Sequence, residues 1–388
     1  MIFKEKKILI ADNVSSGVLR GRSNHIKTII NEGGNVVVVA PKDKTSCALE
    51  EMGCKFVDFP IDARGVNLIR ELKTYFSYVN VLKEKRPDLV LTFSTKPNIY
   101  CTLACKKLGI KYITNITGRG TALGNSGVIQ RVMIMLLRRS LTNASCIFFQ
   151  NANDRQFFLN NKIGKVQSYR LIPGSGVDLV KYKLTPYPSP DVKEINFLFI
   201  SRLLKQKGIE EYIDAAEIIR REHPECTFHV LGDSTPECDM MVNDANEKGI
   251  IIFHGRVNNV GDFIINSHCT IHPSYYPEGM ANVILESAAV GRPVITTDHP
   301  GCREGVDNGI TGFIIAPHDT NSLVSTIKKF LHLSYEEKKA MGIAGRRKME
   351  KEFDREFVTM AYKNEINTVL HRNNEKGNYL LINEGTGI

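Results

Sequence analysis

The chain has 388 residues, 42% hydrophobic and 24% charged, which are the proportions of an ordinary globular protein long enough to bury two cores. Its net charge of +9 is uneven: residues 1–190 hold 29 Lys and Arg against 13 Asp and Glu (+16), and residues 191–388 hold 22 against 29 (−7). No stretch reaches the ~20 apolar residues of a membrane span, and the nine scattered cysteines, without a CxxC pair, argue against a zinc site or a secreted disulfide scaffold.

In chain order, the apolar run after Lys4 to Lys7 is too short for a signal peptide and reads as a first strand, 7–11. Further strands follow at 35–40, 55–59, 89–93, 111–116 and 146–150, with helices between them that include 67–85 and 127–141. Pro186, Pro188 and Pro190 punctuate a connector. A second series then runs through strands 195–200, 227–231, 250–254, 269–272, 293–297 and 312–315, with a helix at 209–221. Alternation of this kind predicts two α/β units with parallel sheets, residues 1–185 and 186–354, facing across a cleft. A last helix over 355–370 and a polar, frayed tail at 372–388 complete the chain.

The most informative stretch is Tyr275-Tyr276-Pro277-Glu278-Gly279-Met280-Ala281-Asn282-Val283-Ile284-Leu285-Glu286. It reads as a carboxylate on a loop that feeds a buried helix stopped at Gly291. At 1.5 Å rise, Glu278 and Glu286 would stand roughly 12 Å apart. That exceeds the separation of two carboxylates flanking one scissile bond. It suits a ligand with polar groups on either side of a phosphate, which would meet the amides of the helix start.

Arg202 and Lys207, five residues apart at a strand exit, can bracket a diphosphate, the first as a fork and the second as a point charge. Gly17, after the first strand, and Gly118-Arg119-Gly120, after the fifth, are candidate phosphate or cleft loops, or plain turns. Neither carries GxGxxG, and the chain has no Walker A sequence, no GxSxG elbow and no Asp-x-Asp pair for a divalent cation. No metal and no other cofactor is therefore expected. His254, His268 and His272 lie near strands, where histidines are more often packed than catalytic.

The basic first half calls for an anionic partner: nucleic acid, an anionic membrane, or a phosphorylated substrate. No helix-turn-helix, zinc or RNP signature supports nucleic acid. The 127–141 segment joins an apolar body to Arg131, Arg138 and Arg139, as interfacial helices do and as core helices with basic ends also do. Tyr75, Phe76 and Tyr78 add candidate aromatic anchors.

The second half resembles the retaining glycosyltransferases of family 4, with GT-B architecture. The matching residues are Arg202, Lys207-Gly208, the Glu278-x7-Glu286 segment, Gly291-Arg292-Pro293, Pro300-Gly301-Cys302-Arg303-Glu304 and Asn308-Gly309. Among them, the 277–280 and 300–304 segments look most like bacterial capsule, O-antigen, exopolysaccharide and lipid-linked oligosaccharide transferases. The resemblance implies that Arg202 and Lys207 hold the donor diphosphate, Glu278 the transferred sugar and Glu286 the ribose. It places the amides of Gly279, Met280, Ala281, Asn282 and Val283 on phosphate or sugar, and His254, Arg256 and Val257 along the base. Gly17 would be a phosphate contact, Arg20 and Arg119 acceptor contacts, and the final helix would cross back to the first unit. Two departures stand out: Ser15-Ser16-Gly17 replaces a Gly-Gly loop, and Thr117 to Gly120 lacks the acceptor-side histidine of many relatives.

The implied activity is metal-independent transfer from a nucleotide-sugar, a UDP-sugar, to a polyprenyl-diphosphate-linked saccharide. The expected location is cytoplasmic, peripheral on the anionic inner face of the membrane. A GT-B-type sugar-nucleotide epimerase and a non-catalytic membrane-associated protein are the competing expectations.

Overall fold

The computed structural model describes residues 1–62, 65, 67–124 and 127–371; the tail expected at 372–388 lies outside the described residues. The first lobe is a seven-stranded parallel sheet of β1 (Lys7–Ala11), β2 (Asn35–Ala40), β3 (Lys55–Asp58), β4 (Leu89–Thr92), β5 (Lys111–Ile116), β6 (Cys146–Phe149) and β7 (Tyr169–Leu171). Their spatial order is β3-β2-β1-β4-β5-β6-β7. The short edge strand β7 is absent from the sequence expectation: Arg170 interrupts its apolar residues and it has only three positions. Runs such as Val36 to Val39 are apolar on both faces because helices cover both sides of the sheet.

The second lobe is a six-stranded parallel sheet of β8 (Ile195–Ile200), β9 (Cys226–Leu231), β10 (Ile252–Phe253), β11 (Cys269–His272), β12 (Val294–Thr297) and β13 (Gly312–Ile315), ordered β10-β9-β8-β11-β12-β13. Order therefore reverses between β1 and β4 in one sheet, and between β8 and β11 in the other. Crevices at the carboxyl ends of strands open at such switch points. The loops after β1, β4, β8 and β11 are thus the ones that topology assigns to ligands.

Local chemistry sets the helix limits. The Asn67 side chain accepts from the amides of Ile69 and Arg70 to start helix Leu68–Lys85, and Arg86 ends it in the left-handed region before Pro87. A reciprocal capping box between Ser334 and Glu337 opens Tyr335–Glu352.

The chain passes between lobes twice, and the passages lie side by side. Val177 N donates to Phe353 O at 2.8 Å, and Arg355 N donates to Val177 O at 3.0 Å. The first passage precedes the proline triplet. Tyr182 already lies in a core cluster of the second lobe, and Arg292 donates to Thr185 and Pro186, so the boundary expected at 185/186 falls inside chain packed on that lobe. After the second passage, helix Arg355–His371 returns to the first lobe and buries Val358, Tyr362, Ile366 and Val369 beside Phe93 and Phe148.

Candidate functional site

Glu278 is the centre of a pre-formed cluster. Its Oε1 takes the Lys207 ammonium as an ion pair, the His272 Nε2 at 3.3 Å and the Ser274 hydroxyl at 3.2 Å. Its Oε2 has no partner among the described residues. Lys207 is buried and also lies 4.7 Å from the centre of the Tyr276 ring. Burial by itself would raise the Glu278 carboxyl, yet Lys207 and the His272 hydrogen bond hold it well below the usual carboxylate range. Burial lowers His272, which therefore stays neutral at pH 7 and donates through Nε2. The histidine that sequence reasoning weighed as a packed residue thus orients the key carboxylate. Its one visible signal was position, at the end of the switch-point strand β11.

Arg202 is exposed and without an ion-pair partner among the described residues. Helix Asn282–Val290 begins four residues after Glu278 and ends at Gly291, so only the second half of the glutamate segment is helical. The helical rise therefore does not set the Glu278–Glu286 separation. Of the five amides proposed for phosphate or sugar, two are already engaged: Gly279 N donates to Thr117 O (3.1 Å) and Ala281 N to Gly301 O (2.8 Å). Those of Met280, Asn282 and Val283 carry no partner among the described residues, as expected at a helix start. Glu286 is half-buried against Tyr182. Burial raises its carboxyl, and Lys181, Arg355 and Arg20 oppose that.

The remaining candidates are placed as follows. His254 and His229 share a hydrogen bond of 3.0 Å with stacked rings, and Arg256 pairs with Asp233 at 3.2 Å, exposed. Val257 packs beside the cluster that contains Met280 and Leu285. Gly17 is not in a loop: helix Ser15–Asn31 has begun, and an added Cβ would meet nothing closer than 3.8 Å, so the position does not demand glycine. Arg20 is exposed, its Nε on Ser16 O at 3.3 Å. Arg119 is held by Asp154 at 2.8 Å and lies over the Phe157 ring rather than standing free.

The lobes meet over the glutamate turn. Besides the Gly279–Thr117 bond, Gly120 N donates to Pro277 O, and Asn151 Nδ2 donates to the carbonyls of Glu278 and Gly279. Arg303 reaches Asn153 at 2.9 Å. At Gly118 (φ +121°) a Cβ would stand 2.6 Å from Gly279 N, so only glycine permits this approach.

Sequence reasoning missed Asp12, buried directly after β1. Its Oδ1 accepts from Ser94 Oγ and Asn13 N, both at 2.6 Å. Ser94, after β4, is non-glycine at φ +66°, a strained backbone of the sort that collects at functional sites. Of the suggested aromatic anchors, Tyr78 is fully buried against Phe59, Tyr75 packs on the core, and Phe76 alone is exposed. Helix Val128–Ser140 buries Leu137 and Ser140 and rests Met133, Ile134 and Leu136 on the core, while Val128, Ile129, Val132 and Met135 are exposed. Among the described residues no helix is long and apolar enough to cross a membrane.

His272, Glu278 and Cys302 form a trio of metal-ligating types with atoms within 4.8 Å of one another. It fits a cation poorly: the Lys207 ammonium already occupies the carboxylate, and burial pushes the Cys302 thiol up to about 12, so it stays protonated.

A carboxylate clamped by a lysine, an arginine without an ion-pair partner among the described residues and an open helix start thus lie on the second lobe, beside its switch point. Comparison with known proteins supplies the family. Residues 187–348 match the model of glycosyl transferases group 1, and residues 23–173 match the glycosyl transferase 4-like domain. The protein is accordingly a glycosyltransferase, with a 4-like domain in its first lobe and a group 1 domain in its second.

It is similar to the N,N'-diacetylbacillosaminyl-diphospho-undecaprenol alpha-1,3-N-acetylgalactosaminyltransferase of Campylobacter jejuni: 23% identity over 343 residues, 84% of this chain and 89% of the relative. An Escherichia coli UDP-Gal:alpha-D-GlcNAc-diphosphoundecaprenol alpha-1,3-galactosyltransferase is 23% identical, over 80% of this chain and 84% of its own. Among solved structures, Anabaena HepE in complex with UDP and glucose superposes with a TM-score of 0.76 at 18% identity, over 94% of this chain and all of that one. The comparisons support a glycosyltransferase and lend nothing to the epimerase or the scaffold.

Proposed function

We propose that the chain is a retaining, metal-independent transferase. It moves a hexosyl group from a UDP-sugar to a polyprenyl-diphosphate-linked saccharide during surface polysaccharide or glycan assembly. The observation that carries this reading is the Glu278 cluster: one carboxylate oxygen is fixed by Lys207, His272 and Ser274, and the other is open to sugar hydroxyls. Arg202, with Lys207 near it, stabilises charge developing on the departing diphosphate, and such electrostatic stabilisation usually accounts for most of the rate enhancement in sites of this kind. The leaving phosphate oxygen takes the acceptor proton, so no side-chain base is required. Bond formation on the face vacated by the leaving group retains the anomeric configuration. A lysine ammonium in place of a metal ion at the carboxylate supports metal independence.

The two curated relatives named above act, by their names, on undecaprenyl-diphosphate-linked sugars, and this motivates the lipid-linked acceptor. Leu68, Ile69 and Phe76 on one helix, and Val128, Ile129 and Met135 on another, are exposed on the basic lobe, the second set beside Arg131. Apolar insertion plus ~1 kcal/mol per cation near an anionic surface would hold the protein on the inner leaflet.

One experiment tests the whole reading. UDP-hexoses and UDP-N-acetylhexosamines are incubated with a lipid-linked acceptor in anionic vesicles, with and without EDTA. An α-linked product from an α-linked donor, undiminished by chelation and made by vesicle-bound protein, is the expected result. An inverted linkage removes the retaining mechanism, and loss of turnover with EDTA removes metal independence. Protein that stays in the supernatant at low salt removes the membrane surface.

A further inference from the structure

A histidine of the second lobe stands where the two lobes meet. β12 ends at Thr297, and the segment from Asp298 to Glu304 then folds back on the turn that carries Glu278. Ala281 N donates to Gly301 O at 2.8 Å, and a Cβ added at Gly301 (φ +87°) would stand 2.7 Å from the Glu278 carbonyl oxygen. On its other side, Arg303 of the same segment reaches Asn153 of the first lobe. His299 is anchored within this wedge, because its carbonyl accepts from the amides of Cys302 at 3.0 Å and Arg303 at 3.1 Å.

The half-buried ring has one chemical state to offer. Its Nδ1 lies 2.9 Å from the Pro300 carbonyl oxygen, which can only accept, so Nδ1 carries the hydrogen and the lone pair sits on Nε2. Burial lowers the ring below the usual histidine range. Arg119 and Arg303 lower it further, against the Pro300 bond and Glu278, so it is neutral at pH 7. These charges reach it from three sides: Glu278 on the turn, Arg119 on the facing lobe and Arg303 on its own segment. Two arginines disfavour a cationic ligand, and a nitrogen lone pair repels phosphate oxygens. What suits Nε2 is a neutral donor, and a saccharide brings hydroxyls. The proposed function gives the transferred sugar to Glu278. A ring that feels both Glu278 and, across the cleft, Arg119 lies on the side from which the second sugar arrives.

We infer that His299 binds the acceptor saccharide, its Nε2 accepting a hydrogen bond from a hydroxyl beside the one that reacts. The inference rests on the transferase reading above and adds an acceptor-binding residue to it. No bond is made or broken at the ring, and the reacting hydroxyl still gives its proton to the leaving phosphate oxygen.

Two amide substitutions separate the roles such a ring could play. Gln sets an accepting oxygen near the place of Nε2, whereas Asn sets an N–H near the place of Nδ1. Kinetics are read with UDP-hexoses and UDP-N-acetylhexosamines against a polyprenyl-diphosphate-linked N-acetylhexosamine in vesicles. His299→Ala and His299→Asn are expected to raise the acceptor KM about 10-fold, the upper end of one net hydrogen bond, with donor KM and thermal stabilisation by UDP as in wild type. His299→Gln should recover most of that loss. The reverse order, with Asn close to wild type and Gln impaired, would make His299 a brace for its own segment and overturn the inference. A rise in donor KM instead of acceptor KM overturns the assignment to the acceptor, and an unchanged acceptor KM in folded His299→Ala protein overturns any contact. Each of these results leaves the transferase reading standing. Transfer by wild type from none of the donors sinks that reading and this one with it.

Discussion

The two lobes contribute differently to the site. In the second, Lys207, His272 and Ser274 converge on Glu278, and Arg292 meets the carbonyls of Thr185, Pro186 and Ile265. In the first, Thr117, Gly120 and Asn151 reach across to the backbone of the turn that carries that carboxylate. Both lobes leave buried side-chain atoms without partners among the described residues: Asn13, Arg22, His25 and Asn98 in the first, and Glu211, Ser234 and the Nδ1 of His272 in the second. The contrast teaches that one lobe assembles the charged cluster, and the other holds the turn that carries it.

The largest expected blow to this contrast is Lys207→Ala. It leaves Glu278 buried without its cation and removes charge from the diphosphate, so turnover should fall by about 10²–10³-fold. Steady-state kinetics on protein with an intact thermal transition checks this, and near-normal turnover would refute it. Gly118→Ala comes next. The added Cβ meets Gly279 N at 2.6 Å, so the lobes cannot approach as they do here. Transfer should drop roughly 10-fold or more, since misplacement by about 1 Å costs on the order of 10²-fold. UDP binding, which the proposed function puts on the other lobe, should hardly change. Equal losses in binding and transfer would show that the contact does not act through lobe approach.

A third effect, on stability and not on turnover, appears in acid. His25 is buried against Tyr362, and burial, with Arg22 and Arg355 nearby, lowers it to about 3. Its folded value lies below the unfolded one of about 6.5, so its contribution is intact above pH 6.5 and is lost as pH falls towards 3. Between pH 7 and 5 that amounts to about 2 kcal/mol. His25→Phe should keep the stacking and remove that part of the decline, as urea titration at the two pH values will read. In the second lobe Glu278 is depressed as well, so its contribution survives until pH falls below about 4.3 and on through its folded value. An unchanged slope in His25→Phe would place the acid sensitivity elsewhere.

Legibility follows the same division. Strand series and helix ends were readable, because both faces of each sheet are covered and caps such as Asn67 and Gly291 are local signals. Of the candidates quoted from the sequence, Lys207 and Glu278 meet as an ion pair because the loops after β8 and β11 adjoin at one switch point. Asp12 and Ser94 were not: they come from the loops after β1 and β4, and nothing in one dimension shows that those strands lie side by side. The strained Ser94 leaves no compositional trace. Gly17 misled because a glycine after the first strand suggests a loop, whereas the helix had already begun at Ser15.

The paired passages at Val177 and Phe353 to Arg355 have a mechanical consequence. Two backbone strands hydrogen-bonded to each other act like two pins of one door hinge: they resist twist and sliding but yield to swinging about a single axis. A swing about that axis would widen or narrow the gap along one coordinate, and the Thr117–Gly279 hydrogen bond marks its narrow end.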